Sequence, residues 1–442
     1  MGNATASAGS LAARIVRRLR QEGFAAWLVG GCVRDLLLGR EPADYDVATS
    51  APPANVAGLF PPAETVGAHF GVVLVREGPA EVEVATFRAD HAYRDGRRPE
   101  RVELVADPRE DVLRRDFTIN ALMMDPDSGE VLDFVGGRAD LAGGLIRAVG
   151  DPEARFEEDH LRMLRAIRFA ARLGFVIETA AMKAIATLRD RIHRVAAERV
   201  RDELGRILTE GGARRGFELL DRSGLLAEVL PEVAAMKGVA QPPEFHPEGD
   251  VWTHTLLMLE MLGGPTLTLA WGVLLHDVGK PPTFRVAERI RFDGHVEMGV
   301  TMAARILARL RCSTDDIRQV EALVANHLRF KDVTRMREST LKRFLRMDRF
   351  AEHLELHRLD CLASHRMLGN YHYLKAQLEA MPVDVLRPPR LLTGHDLIAA
   401  GYRPGPAFQR MLEAVETAQL EGRIATREQA LALVEEEFGR TG

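Results

Sequence analysis

The chain has 442 residues, 46% of them hydrophobic, 28% charged and 6% aromatic, with a formal net charge of −5. That length exceeds one core and predicts about three domains, and the mild acidity argues against a uniformly basic nucleic-acid binder without excluding a local basic patch. No apolar run is long enough to cross a bilayer, the first residues carry no signal-peptide pattern, and Cys32, Cys312 and Cys361 form no C-x-x-C pair, so a cytoplasmic chain without disulfides or a zinc ribbon is expected.

Residues 11–24 read as an amphipathic helix with Leu11, Ile15 and Leu19 on one face. Trp27 to Val29 reads as a buried strand, Gly30-Gly31 turns it, and Cys32 to Leu38 starts a helix. A glycine turn opening a helix offers free N–H groups to a phosphate. Asp44 and Asp46 follow at a second strand, where residues two apart share a face. Two carboxylates aimed at one spot repel unless a cation lies between them. A divalent pair held there can activate a hydroxyl and clamp a triphosphate.

Residues 66–75 and 82–87 have strand character, and the alternation in the second puts Glu83 on the Asp44/Asp46 face. Residues 88–104, with Gly96, Pro99 and a tip of Arg94, Arg97, Arg98 and Arg101, read as a loop. Arg115 can fork onto phosphate, and Asp116 and Asn120 can bond sugar hydroxyls. Val131 to Arg138 reads as a strand and glycine turn.

From Pro152 the pattern is helical. One helix is expected over 155–173, with Asp159 and Arg162 three apart on one face. Cytosine and adenine both present an exocyclic amine beside a ring-nitrogen acceptor, and uracil and guanine reverse that order. A carboxylate facing the amine and a guanidinium facing the ring nitrogen therefore accept C and A and reject U and G. Arg165 and Arg168 are read as touching phosphate or only solvent. Residues 196–230 continue the helical run, where Glu198 and Arg199 are a plain helix face or pocket lining. The stretch 241–249, with three prolines, reads as a linker. Beyond it stand His254, His276-Asp277, His295, His327 and Asp360, a donor set suited to one or two divalent ions. The basic run 331–349 offers a phosphate-tracking face or a solvated one. Helix is expected over 334–350 and 410–438.

The stretch 28–50 as a whole resembles the signature of the nucleotidyltransferase superfamily, in the branch of tRNA nucleotidyltransferases (CCA-adding enzymes) and bacterial poly(A) polymerases. Residues 114–122 resemble its second motif, and Glu158-Asp-His-Leu-Arg162 matches its Glu-Asp-x-x-Arg motif at every fixed position. Residues 274–280 (Leu-Leu-His-Asp-Val-Gly-Lys) resemble the HD superfamily of metal-dependent phosphohydrolases, and residues 392–406 resemble the tail segment of bacterial members. The resemblance implies an α+β fold: a small N-terminal mixed β-sheet nucleotidyltransferase domain followed by an all-α body with an HD-type helical domain. Its expected parts are a catalytic head at 10–138, a helical neck at 139–240 that recognises the base, an HD domain at 248–370 and a tRNA-binding tail at 385–442.

The implied activity is template-independent addition of C and A from CTP and ATP to the tRNA 3′ end. Asp44 and Asp46 would hold two Mg²⁺, with Glu83 as an auxiliary carboxylate. Gly30, Gly31, Arg34, Arg115, Asp116, Asn120, Asp159, Arg162, Arg165 and Arg168 would bind the nucleotide. Loop 88–104 would act as a mobile lever, and the HD residues would hold Mn²⁺, Ni²⁺ or Mg²⁺. A monomer or homodimer is expected. Alternatives are an A-adding enzyme or poly(A) polymerase using ATP only, or an HD-type phosphohydrolase whose N-terminal half binds RNA.

Overall fold

Ser7 opens helix α1 (Ala8–Gln21): its hydroxyl accepts from the N–H of Ser10, and Leu11, Ile15 and Leu19 lie on the buried face. The computed structural model describes residues 7–66, 71–93 and 99–439. They fall into two units. One runs to Ala235 and includes Leu262–Leu267 and Arg309–Cys312; the other holds Met236–Met261, Thr268–Ala308 and the chain from Ser313 on.

In the first unit α1 packs on a mixed sheet. Its strands are β1 (Ala26–Val29), β2 (Asp46–Thr49), β3 (Ala63–Val66), β4 (Val72–Glu77) and β5 (Ala80–Thr86), with the short β8 (Met123–Met124) and β9 (Val131–Leu132) at one side. The order is β3-β4-β5-β2-β1-β8-β9. Only β2 and β5 run parallel among these pairs, with Asp46 beside Glu83; β1 and β2 are antiparallel, with Val29 beside Asp46. Burial alternates along β5, with Val82 and Val84 inside and Glu81 and Glu83 outside, as a period of two requires. Val29, Ala48, Phe87, Val112 and Met123 belong to the core beneath the site.

Helix α2 (Gly31–Leu37) follows β1, and α3 (Pro53–Leu59) follows β2. The stretch 88–104, expected as a loop, instead pairs as a hairpin of β6 (Arg88–Tyr93) and β7 (Pro99–Leu104). Of its expected basic tip, Arg94, Arg97 and Arg98 lie outside the described residues and Arg101 falls within β7. The strand expected over 66–75 is two, β3 and β4, with 67–70 likewise outside. After α4 (Pro108–Leu113), a single 3-10 turn, Thr118–Asn120, carries Asn120. That turn lies against α5 (Gly137–Ala142) so closely that a Cβ on Gly137 would stand 2.2 Å from the Thr118 carbonyl oxygen.

The helix expected over 155–173 is also two. Helix α6 (Pro152–Glu158) ends where Asp159 turns extended, at φ −146° and ψ 104°, and α7 (Arg162–Leu173) begins afresh. Helices α8 (Thr179–Leu188) and α9 (Ala197–Thr209) follow, and α9 packs on α7. The body is helical apart from two small strand pairs, Leu145–Ile146 with Val176–Ile177 and Arg285–Val286 with Ile290–Arg291.

In the second unit, helices Val251–Glu260, His295–Arg309 and Phe350–Ala363 carry His254, His295 and Asp360, while His276-Asp277 directly follow the helix Leu267–Leu275 and His327 follows the helix Thr314–Asn326. The helix expected over 334–350 is shorter, Glu338–Leu345, after a 3-10 stretch His327–Arg335. Among the described residues no helix is long and apolar enough to cross a membrane.

Candidate active site

Because Val29 pairs with Asp46, the turn after β1 and the start of β2 lie at the same end of the sheet. Gly30 sits at φ 80° and ψ −135°, a conformation that side chains resist, and opens α2 as its N-cap. Asp46 is the first residue of β2; Asp44 stands just before the strand, in a bend rather than on it. Burial pushes the Asp46 carboxyl up to about 6, and the charges of Asp44 and Glu83 push the same way against Arg115. Two acids and a partly buried third thus share one spot. Glu83 reaches it from β5 but is exposed and outside the lining of the adjacent cleft.

That cleft encloses about 570 Å³ and is lined by Gly30, Gly31, Arg34, Asp44, Asp46, Arg115, Asp116, Asn120, Asp159, Arg162, Arg165 and Arg168. The other twelve residues expected around the nucleotide and the metal therefore converge on it. Nine arginines face six carboxylates in its wall, an excess of positive charge suited to a triphosphate.

Most of these arginines are already held. Arg34, 3% exposed, donates to Asp35 at 2.8 Å and to the Asn120 side-chain oxygen at 2.7 Å. Arg165 forks onto one oxygen of Asp116, at 2.8 and 2.6 Å. Burial alone would raise the Asp116 carboxyl, but Arg165 and Arg162 outweigh it and hold it at about 2. Arg168 donates to Glu203 at 2.7 Å and Glu210 at 3.2 Å. Arg172 lies 3.6 Å from both Asp35 and Glu210. With the Asn120–Asp116 bond at 3.3 Å and Arg165 3.8 Å from Glu203, these contacts close a ring through α2, the Thr118–Asn120 turn, α7 and α9. The sugar contacts expected of Asp116 and Asn120, and the phosphate contacts expected of Arg165 and Arg168, thus compete with partners each already has within the protein.

Asp159 and Arg162 both line the cleft and do not pair with each other. Arg199, from α9, donates to both Asp159 oxygens, at 2.8 and 3.3 Å. Arg162 Nη1 donates to Glu158 at 2.6 Å and to the Arg155 carbonyl at 3.0 Å, and its Nη2 to the Arg114 carbonyl at 3.2 Å. The break between α6 and α7 is what lets neighbours in sequence find different partners. Arg162 keeps Nε–H and one Nη2–H, the two donors on one edge of the guanidinium, without a partner among the described residues.

Sequence reasoning passed over Glu158 as a holder of Arg162, and Arg172, Arg206, Asp35, Glu203 and Glu210 altogether. Arg199 and Arg206 stand seven apart on α9 and both line the cleft, a spacing that two helical turns would have flagged. Most of the basic run 331–349 cannot track phosphate freely. Lys342, 6% exposed, donates to the Leu420 carbonyl, Arg343 and Arg346 both bind Glu416, and Arg349 pairs with Asp315.

The second unit gathers the other constellation. His254, His276 and Asp360 offer ligand atoms within 4.8 Å of one another, and so do Asp277, His295 and His327. His276, His295 and His327 each direct Nδ1 at a backbone carbonyl, of Val273, Phe292 and Val324, at 2.9, 2.8 and 2.6 Å. That turns Nε2 of each inward, as it also is in His254: Nε2 of His276 lies 3.1 Å from Asp277 and Nε2 of His254 3.2 Å from Asp360, while those of His295 and His327 are buried without a hydrogen bond among the described residues. Burial pushes His327 down to about 4, so its ring is neutral at pH 7. Asp277 lies 3.1 Å from His276 and 2.6 Å from Lys280.

The chain matches three family models: Poly A polymerase head domain over residues 26–147, Probable RNA and SrmB-binding site of polymerase A over 174–237, and tRNA nucleotidyltransferase domain 2 putative over 295–434. It is 32% identical over 430 residues to a CCA-adding enzyme of Leuconostoc mesenteroides, covering 96% of this chain and 95% of that one. It is 45% identical over 221 residues to a CCA-adding enzyme of Geobacillus thermodenitrificans, covering 50% and 54%. Its fold superposes on the Bacillus stearothermophilus CCA-adding enzyme in complex with CTP with a TM-score of 0.73 at 26% identity, over 96% of both chains.

Proposed function

This chain belongs to the CCA-adding enzyme family, and from that premise we propose that it adds C and A from CTP and ATP to the 3′ end of tRNA without a nucleic-acid template. The observation that carries the reading is the cleft itself, which holds Asp44 and Asp46 beside the Gly30 turn together with Asp159 and Arg162. In the reaction the terminal 3′-hydroxyl oxygen bonds to the α-phosphorus, the bond to the bridging oxygen breaks, and pyrophosphate leaves with the electron pair.

Asp44 and Asp46 fit Mg²⁺, because the Asp46 carboxyl is pushed up to about 6 by burial and neighbouring acids, a repulsion that a cation relieves. Ions bound there supply Lewis acidity to the hydroxyl and the phosphates. The protein does the rest. The start of α2, from Gly31 on, presents backbone N–H groups to the phosphates, the Gly30 N–H being taken by the Leu122 carbonyl. Arg34 adds positive charge from a buried, preorganised position, and Arg115 adds it from beside Asp46. Asp159 accepts from the exocyclic amine of cytosine or adenine, since Oδ2 takes only the Arg199 bond and retains a lone-pair site, while Oδ1 is held by Arg199 and the Leu161 N–H. Arg162 donates to the ring nitrogen from its free edge. The Asp116–Arg165–Glu203–Arg168 chain keeps α7 in register with the head, so the base and triphosphate ends of the cleft hold a fixed spacing.

The test is incorporation of labelled CTP into tRNA lacking its 3′ CCA. Wild type is expected to label it, and Asp44→Ala to lose the reaction by at least about 10³-fold; retention in Asp44→Ala would overturn the metal assignment.

A second reading, for the other unit, rests on the four inward-facing Nε2 atoms and the carboxylates beside them. We propose that His254, His276, Asp277, His295, His327 and Asp360 hold one or two divalent ions such as Mn²⁺, Ni²⁺ or Mg²⁺. Imidazoles fixed through Nδ1 and turned inward through Nε2 fit that role, and burial pushes His295 and His327 down, towards the neutral form that a ligand needs. Bound ions would supply an activated water for phosphoester hydrolysis. Phosphodiesterase assay of the metal-loaded chain, with Asp277→Ala as comparison, tests the hydrolytic part.

A further inference from the structure

The proline-rich stretch 241–249 looks like a connector in sequence, yet it lies against the histidine cluster. Gln241 accepts from Lys280 Nζ at 2.6 Å, and Lys280 in turn sits 2.6 Å from Asp277. Glu248 Oε1 lies 2.7 Å from Nδ1 of His254 and 2.8 Å from Nδ1 of His246. Its side chain is 6% exposed, and its other oxygen is buried without a partner.

One difference separates the histidines of the cluster. His276, His295 and His327 are oriented by backbone carbonyls, which no substitution removes. His254, fully buried, is oriented by a side chain. A carboxylate only accepts, so it keeps a proton on Nδ1 and turns Nε2 inward, where Asp360 Oδ1 stands 3.2 Å away and a cation can take the place of the proton shared between them. Being anionic, it also makes the imidazole a stronger donor to a cation than a carbonyl would. Without that acceptor, the buried ring gains by placing its proton on Nε2 and donating to Asp360, which blocks the position where a ligand lone pair is needed.

We propose that Glu248 is a positioning residue of the centre: it holds His254 in its metal-ligating tautomer, and the stretch 241–249 is thereby part of the centre's wall. This rests on the reading that the cluster binds a divalent ion.

The test is Ni²⁺ titration of the metal-stripped full chain by calorimetry, in an Asp44→Ala/Asp46→Ala background so that the cleft carboxylates take no part. Ni²⁺ suits imidazole donors. Glu248→Ala is expected to weaken binding about 10- to 100-fold. Glu248→Gln keeps a neutral acceptor and hence the tautomer, so it should bind more tightly than Glu248→Ala and more weakly than the background protein. It also serves as the reading if the alanine variant does not fold. Equal affinity of both variants and the background protein would overturn the role of Glu248. Absence of Ni²⁺ binding in the background protein would overturn the metal reading itself, and the role of Glu248 with it.

Discussion

Arg199 grips Asp159 through two N–H groups, at 2.8 and 3.3 Å, from a helix forty residues further along the chain. The carboxylate assigned to reading the base is thus aimed by α9. Removing the fork frees that carboxylate to rotate. Arg199→Ala is expected to lower kcat/KM for CTP and ATP about 10- to 100-fold while leaving UTP and GTP less affected, so that discrimination narrows. Arg199→Lys should restore little, because an ammonium cannot make the paired contact. Steady-state kinetics with the four nucleotides checks this.

Asp46 predicts a pH dependence. Its folded carboxyl titrates near 6, against an ordinary value of 3.8. Between those values the folded state binds more protons than the unfolded one, so stability falls as pH rises from about 4 to 6. Asp46→Asn should then be the more stable protein at pH 7, by up to about 3 kcal/mol, with most of the advantage gone at pH 4. Mg²⁺ should narrow the gap at pH 7 by stabilising wild type alone. Urea midpoints at both pH values, with and without Mg²⁺, measure it.

Asp116 has the opposite sign. Held at about 2 by Arg165 and Arg162 against its burial, it contributes stability at neutral pH that is lost as pH falls from about 4 towards 2. Arg165→Ala leaves the buried carboxylate without its fork and should cost about 3–5 kcal/mol. Adding Asp116→Asn should recover part of that loss, which a double-mutant cycle in urea resolves.

Asp277→Ala should abolish Ni²⁺ binding at the histidine cluster and leave CTP incorporation at the wild-type rate, since nucleotide addition uses none of that cluster. Calorimetry and incorporation on the same preparation check both halves.

Much of this was readable in the sequence because the chemistry is local there. Gly30-Gly31 with Asp44 and Asp46 lies within one strand-turn-helix-strand passage, so spacing alone brings the residues together. Asp159 and Arg162 were found for the same reason, but their surroundings were not. The run from Glu158 to Arg162 contains no glycine or proline to announce that the helix breaks, and the Arg199 pairing arises only when α9 packs on α7. Arg165 and Arg168 look in sequence like free phosphate ligands. Their carboxylate partners, Asp116, Glu203 and Glu210, are separated from them by 35 to 49 residues and become neighbours only in the fold. The hairpin within 88–104 is not legible in the sequence because its arms, β6 and β7, are too polar to show strand alternation. The stretch 241–249 was misjudged because prolines signal a connector whether or not the connector packs on something.

The central claim is that one cleft adds both C and A to tRNA. Transcripts ending at the discriminator base, at C and at CC, each offered CTP or ATP alone, test it most directly. CTP is expected to extend the first two and ATP the third. Labelling of the CC transcript by ATP, with no extension of the other two by CTP, would contradict it.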